Sequence, residues 1–222
     1  ALLFNYSHFL LDYGLFNEAE AWLKHWLDIN PEYPQAMTML GYCYGMQNRI
    51  ELACNLLKQA QLHGDNSVES LAHLGTFELL AGNDEDAKSL ASLAATKSDN
   101  SGTLQLLFGN IQLLEGNYAQ AIKYFNKAVD LSGSKLAIQA QFNSAYAYFG
   151  VGERTKGYQL LEYRTRIHNP FLPHAQATYS KFNGKLLDDT LTLLSEQGFG
   201  DTIQFCRYAP WLIQQRICNN IT

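Results

Sequence analysis

One stretch of this 222-residue chain carries residue types that could hold a ligand: Glu196-Gln197-Gly198-Phe199-Gly200-Asp201-Thr202. Gly198 and Gly200 would let backbone N–H groups turn toward an anion. A helix opening after them would present its positive end to the same charge. Gly198, Gly200, Asp201 and Thr202 therefore form a candidate phosphate-binding turn. The plainer reading is a tight strand-to-helix turn in which Asp201 only caps the helix. Other chemistry is sparse. His168 and His174 flank a proline-containing loop with no third ligand beside them, so no metal is expected. Cys43, Cys54, Cys206 and Cys218 show no Cys-x-x-Cys pairing and read as buried free thiols in a reducing compartment. No Ser/His/Asp set and no usefully spaced carboxylate pair can be found, so no catalytic residue and no cofactor is assigned.

The composition narrows the class. The hydrophobic fraction is 47% and the charged fraction 17%, enough for a packed core and too apolar for disorder. Net charge is -5 with no basic face, which argues against nucleic acid. Nothing approaches the length of an apolar run that spans a bilayer, and a cytoplasmic location is expected. The opening Ala1-Leu2-Leu3-Phe4 lacks a basic region and reads as helix interior, not as a leader.

The elements that must position any site repeat themselves. Gly41, Gly75 and Gly109 stand 34 residues apart, and Ala19, Ala53, Ala87 and Ala121 keep the same step. Ala60, Ala94 and Ala128 follow seven residues later. A fixed period of this size marks stacked supersecondary units. Apolar residues at i, i+3, i+4 and i+7 within each unit are helical spacing. The first unit places helices at about 1–13 and 17–29, with Gly14 in the turn and Pro31 as the stop. The units run over about 1–33, 34–67, 68–101, 102–135 and 138–169. The last is slipped by two residues, placed in the Ser132-Gly133-Ser134 turn, and Arg164 replaces a small residue in it.

The order of large residue, Leu-Gly, Tyr, glycine turn, Ala, large apolar residue, Ala and Pro resembles the tetratricopeptide repeat. Residues 1–169 would then form an all-α, right-handed superhelical solenoid of about five helix-turn-helix repeats. The resemblance implies a protein-protein interaction scaffold whose first helices line a concave groove. Carried over position by position, the lining is Phe4, His8, Leu11 and Asp12, then Thr38, Tyr42 and Met46. It continues with Ala72, Thr76 and Leu79, with Leu106, Asn110 and Leu113, and with Phe142, Tyr146 and Phe149. The groove is expected to be apolar and aromatic, without the Lys and Arg that clamp a peptide carboxylate. It suits an apolar or amphipathic protein segment.

Past Pro170 and Pro173 the pattern changes. Residues 170–185 read as a packed linker. Residues 186–222 read as a strand through Leu186-Leu187 and Leu191–Leu194, a glycine turn and a helix. Phe182-Asn183-Gly184 followed by the Glu196–Tyr208 segment resembles the start of the glycosyltransferase-like domain that follows such repeats in bacterial proteins. That resemblance implies a sugar nucleotide as ligand of a longer parent protein whose repeats present acceptor proteins. Too few residues follow Gly184 for two doubly wound domains, so the chain alone is expected to be catalytically incompetent. An unfinished sheet and the apolar opening also invite homo-oligomerisation.

Overall fold

The structure, a computed structural model, describes residues 2–167, 190–193 and 206–221. Among them are eleven α-helices and one two-stranded sheet, and the chain divides into a unit of residues 1–164 and a unit of residues 165–222.

The first unit is an α-solenoid of five helix pairs. They are α1 (Leu2–Tyr13) with α2 (Phe16–Ile29), α3 (Pro34–Met46) with α4 (Ile50–Leu62), and α5 (Val68–Leu80) with α6 (Asp84–Lys97). Then come α7 (Gly102–Leu114) with α8 (Tyr118–Leu131), and α9 (Ser134–Gly150) with α10 (Arg154–Leu161). Each pair turns on a residue in the left-handed region: Gly14, Asn48, Gly82, Gly116 and Gly152, with φ between 55° and 90° in every case (74°, 63°, 84°, 76° and 85°). Four are glycine because a Cβ is disfavoured there, and asparagine is the residue that best tolerates the exception. The next N–H closes the helix end, as in Leu15 N to Leu10 O and Asn83 N to Glu78 O, both 2.9 Å. Pro34 opens α3 where its missing N–H costs nothing, and Ser67 and Ser101 cap α5 and α7 through their hydroxyls.

Small residues mark where backbones approach. A Cβ on Gly41 would lie 2.8 Å from Leu57 Cγ, and one on Gly109 would lie 2.5 Å from the Phe125 ring. The alanines of the 34-residue step are fully buried. Leu57, Leu71, Leu74, Leu104, Leu107 and Phe125 fill the space between and lie fully within the core. Each such side chain contributes roughly 1.5–3 kcal/mol of transfer free energy. The cores are chained: one runs from α1 to α5, the next from α5 to α7, the last from α7 to α9.

The last pair departs from its predecessors. α9 starts at Ser134 and runs to 17 residues against 13 for α3, α5 and α7. α10 stops after 8 residues and passes into a 3-10 turn at Glu162–Arg166, where Arg164 bonds Glu162 and the Leu161 carbonyl.

In the second unit, β1 (Thr190–Leu191) pairs in parallel with β2 (Asn220–Ile221), in the register Thr190 to Asn220 and Leu191 to Ile221. The helix α11 (Ala209–Gln214) lies between them in sequence, with Pro210 in its first turn. Parallel pairing requires such a crossover. The expected strand at Leu186-Leu187, the linker at 170–185 and the glycine turn at 198–202 lie outside the described residues. Cys43, Cys54 and Cys218 are buried, but Cys206 is exposed, which corrects the expectation of four buried thiols. Burial pushes the Cys43 thiol up to about 12 and that of Cys54 up to about 11, so both stay protonated and unreactive. No helix among the described residues is long and apolar enough to cross a membrane.

Candidate interaction groove

The inner wall follows from which helices touch. First helices pack on one another in sequence, α1 on α3, α3 on α5, α5 on α7 and α7 on α9, while each second helix packs on the first helices beside it. The more closely spaced row is the inner one. Residues four apart on a helix share a face. The stripe in the three central pairs is therefore Thr38–Tyr42–Met46, Ala72–Thr76–Leu80 and Leu106–Asn110–Leu114.

The expected lining residues fall into two groups. His8, Asp12 and Tyr146 are exposed, and Tyr42, Met46, Thr76, Asn110 and Phe142 are partly buried along this wall. Leu11 and Leu106 are taken into the cores, and Leu79 and Leu113 pack against them. Phe149 turns away entirely. Its ring lies over Gly157 and 5.0 Å from Tyr158, so it serves the contact of α9 with α10. Thr38 and Ala72 are also buried; Thr38 Oγ1 donates to Asp65 Oδ2 at 2.6 Å and lies 3.2 Å from Ser70 Oγ. Phe4 lies on α1, whose first residues are described by backbone alone. Gly198, Gly200, Asp201 and Thr202 lie outside the described residues, as do His168 and His174.

Leu80 and Leu114 were not on the expected list, yet both are 66% exposed. Each sits one position beyond Leu79 or Leu113, at i+4 instead of i+3 from Thr76 or Asn110. The exposed stripe is found by stepping four residues, as Met46 already does from Tyr42.

A cross-helix contact recurs along the wall. The Tyr42 ring lies 4.5 Å from that of His73, and Asn143 Nδ2 donates to Asn110 Oδ1 at 2.8 Å. Gln139 Nε2 extends the second contact, donating to Asn143 Oδ1 at 2.7 Å. The wall is thus aromatic at one end and amide-lined at the other, more polar than its residue types alone imply. Burial pushes His73 down to about 4, so its ring is neutral at physiological pH. Burial, aided by the Asp12 carboxylate, holds the Tyr42 hydroxyl above its ordinary range. Lys135, in the first turn of α9, donates to the Leu11 carbonyl at 3.4 Å, from the fifth helix pair to the first. Burial lowers its ammonium, and the Asp12 carboxylate partly offsets that.

No group of three His, Cys, Asp or Glu side chains among the described residues could hold a metal ion. The geometry offers apolar contact, ring stacking and amide hydrogen bonding.

These features define a helix-pair repeat solenoid, one pair of which matches the tetratricopeptide repeat. The family model of that repeat matches residues 103–135, which span α7, its turn and α8. The array is similar in fold to solved structures. One is the Cut9 and Hcn1 hetero-tetramer of the APC/C, at 15% identity and a TM-score of 0.63, over 71% of this chain. The chain spans about a third of that protein, 31% of its length. Another is TTC0263, a thermophilic tetratricopeptide-repeat protein of Thermus thermophilus, at 17% identity and a TM-score of 0.61, over 73% of this chain and 93% of that one. A third is a MamA protein of Desulfovibrio magneticus, at 16% identity and a TM-score of 0.50, covering 76% and 96%. At these identities the likeness is one of fold. No curated protein matches the chain by sequence.

Proposed function

We propose that the array is an interaction scaffold that holds a segment of a partner protein along the inner stripe. The observation that carries this reading is the pair Leu80 and Leu114, two large side chains one repeat apart and 66% exposed on the helices that line the wall. Between and beside them stand Thr76, Asn110 and the Asn110–Asn143 amide contact. The segment that fits is amphipathic, with apolar side chains for the leucines and polar groups that exchange hydrogen bonds with Asn110. No lysine or arginine stands among Thr38, Tyr42, Met46, Ala72, Thr76, Leu80, Leu106, Asn110 and Leu114, so recognition of a terminal carboxylate is not part of it.

The test is a displayed library of helical and extended peptides panned against the chain. Peptides that bind are expected to lose affinity roughly tenfold or more to a variant carrying Leu80→Asp and Leu114→Asp, with the helical circular dichroism unchanged. Binders that ignore both substitutions would place the site elsewhere. Leu106 is 7% exposed, so a charge there would break the array and decide nothing.

One observation favours a second reading for residues 165–222. The parallel pairing of β1 with β2, with α11 between them in the chain, is the connectivity of a βαβ unit. On that reading the chain belongs to a glycosyltransferase-like protein, and Gly198, Gly200, Asp201 and Thr202 cradle the diphosphate of a sugar nucleotide. Calorimetric titration of the full-length protein with a nucleoside diphosphate tests it. Binding abolished by Asp201→Ala is the expected result; no heat in the unaltered protein would sink the reading.

A further inference from the structure

The second helices form an outer row, and the clefts between neighbours in that row are not filled alike. Between α4 and α6 lies a cleft of about 330 Å³, lined chiefly by Lys58, Leu74, Glu78, Ser89, Leu90 and Leu93. Leu74 and Glu78 come from α5. They are four residues apart, on the face of that helix turned away from Ala72, Thr76 and Leu80.

The 34-residue step shows what the cleft lacks. Leu74, Glu78 and Leu90 correspond to Phe108, Gln112 and Tyr124 one pair later, and to Leu40, Tyr44 and Leu56 one pair earlier. In the later pair the Phe108 ring stacks on that of Tyr124 at 5.2 Å. In the earlier pair the buried Tyr44 ring has Arg49 4.2 Å and Lys24 5.8 Å from its centre. Lys58 and Asn83 hold the places of Lys24 and Arg49, but a carboxylate replaces the ring they would flank. Rings therefore stand at these positions in the pairs on either side, and none does in the third.

The lining says which ring fits. Leu74, Leu90 and Leu93 supply aliphatic walls, and Leu93 is 46% exposed at the rim. The Glu78 carboxylate is 1% exposed and has about four lone-pair sites. Lys58 at 2.7 Å, Asn83 at 2.6 Å and the Cys54 thiol use three of them, leaving one for a further O–H or N–H. Lys58 already neutralises Glu78, so a second cation would have to displace it, and an anion would meet Glu78 and Asp86. A neutral ring with a donor at its edge meets both conditions, and Lys58 can face it as Lys24 faces Tyr44. Asp86 and Ser89 are exposed along the rim, so a free ring is only partly enclosed. A ring carried on a polypeptide gains flanking contact with Leu93.

We propose that this outer cleft receives the side chain of a tyrosine or tryptophan from a partner polypeptide, at a site separate from the inner stripe.

Titration of the whole chain with p-cresol, followed by amide shifts in proton–nitrogen correlation spectra, tests the cleft. Shifts confined to α4, α5 and α6 are expected, saturating in the millimolar range, with toluene roughly threefold weaker for want of a donor. Ser89→Trp, at an exposed position where folding is not at issue, should abolish them. So should Leu90→Tyr, which supplies the ring of the fourth pair. Panning a displayed peptide library against the chain carrying Leu80→Asp and Leu114→Asp tests the partner with the inner stripe disabled. Binders that contain Tyr or Trp and lose affinity roughly tenfold to an added Ser89→Trp are expected. Four results would overturn the proposal: no shifts at the cleft, tighter binding of benzylammonium or benzoate than of p-cresol, shifts that survive both substitutions, or a library that yields no such peptide.

Discussion

The two sides of the first helices obey different constraints. On the packed side, each position answers to a neighbour at contact distance, so Gly41 faces Leu57, Gly109 faces Phe125, and the same residue types return every 34 positions. On the inner side, the equivalents of Tyr42 are Thr76 and Asn110, three residues with nothing in common but their place. Where the residue type recurs, the fold dictates it. Where the type varies while the position recurs, the fold only presents it, and the choice is open to a partner. Stability and binding should therefore separate cleanly between the two sides.

The largest expected effect lies on the packed side. Phe125→Ala empties a site that is 1% exposed and should cost about 3–5 kcal/mol in denaturant unfolding. A loss below about 1 kcal/mol would mean that packing is not what fixes the lattice. A smaller effect is expected at Glu78, which is 1% exposed and receives Lys58 Nζ at 2.7 Å and Asn83 Nδ2 at 2.6 Å. Burial alone would raise this carboxyl, but the bonds from Lys58 and Asn83 hold it below its ordinary value. Its contribution is present above the unfolded value and fades as pH falls through the folded one. Glu78→Gln should remove about 1–2 kcal/mol at neutral pH and flatten the acid limb of the stability curve below about pH 4.5.

An effect of similar size is expected at the boundary between the two sides. His73 folds with a value near 4 against 6.5 when free. Between these the unfolded chain binds the proton and the folded chain does not, so stability falls as pH drops through that window. Melts at pH 6.5 and pH 4.5 should differ by about 1–2 kcal/mol more in the native protein than in His73→Gln, after discounting for partial exposure. Equal differences would place His73 in water. The smallest effect on folding, within about 0.5 kcal/mol, is expected for Leu80→Asp with Leu114→Asp, the change expected to weaken peptide binding roughly tenfold or more.

The repeat lattice could be read from residues alone because stacking forces small and large types to alternate at one period. Gly14, Gly82 and Gly116 announce the turns for a different reason, their positive φ, and Asn48 completes the series only once its backbone is seen. The expected inner stripe differs from the exposed one where packing claims a side chain, as at Leu79, Leu113 and Phe149. Leu79 and Leu80 are the same type, and only three-dimensional packing shows which is taken by the core. The Asn110–Asn143 contact could not be anticipated because the fifth pair is slipped by two residues. The long start of α9 and the short α10 follow from local sequence around Ser134 and Arg164, where no counterpart in another repeat offers guidance.

The reach of Lys135 to the Leu11 carbonyl has one more consequence. A stacked array is ordinarily an open row in which each member feels only the next. Here the row bends far enough for one side chain of its fifth member to reach a carbonyl of its first. Adding or removing a single helix pair would part that contact, so the curvature of the inner wall is tied to the number of pairs.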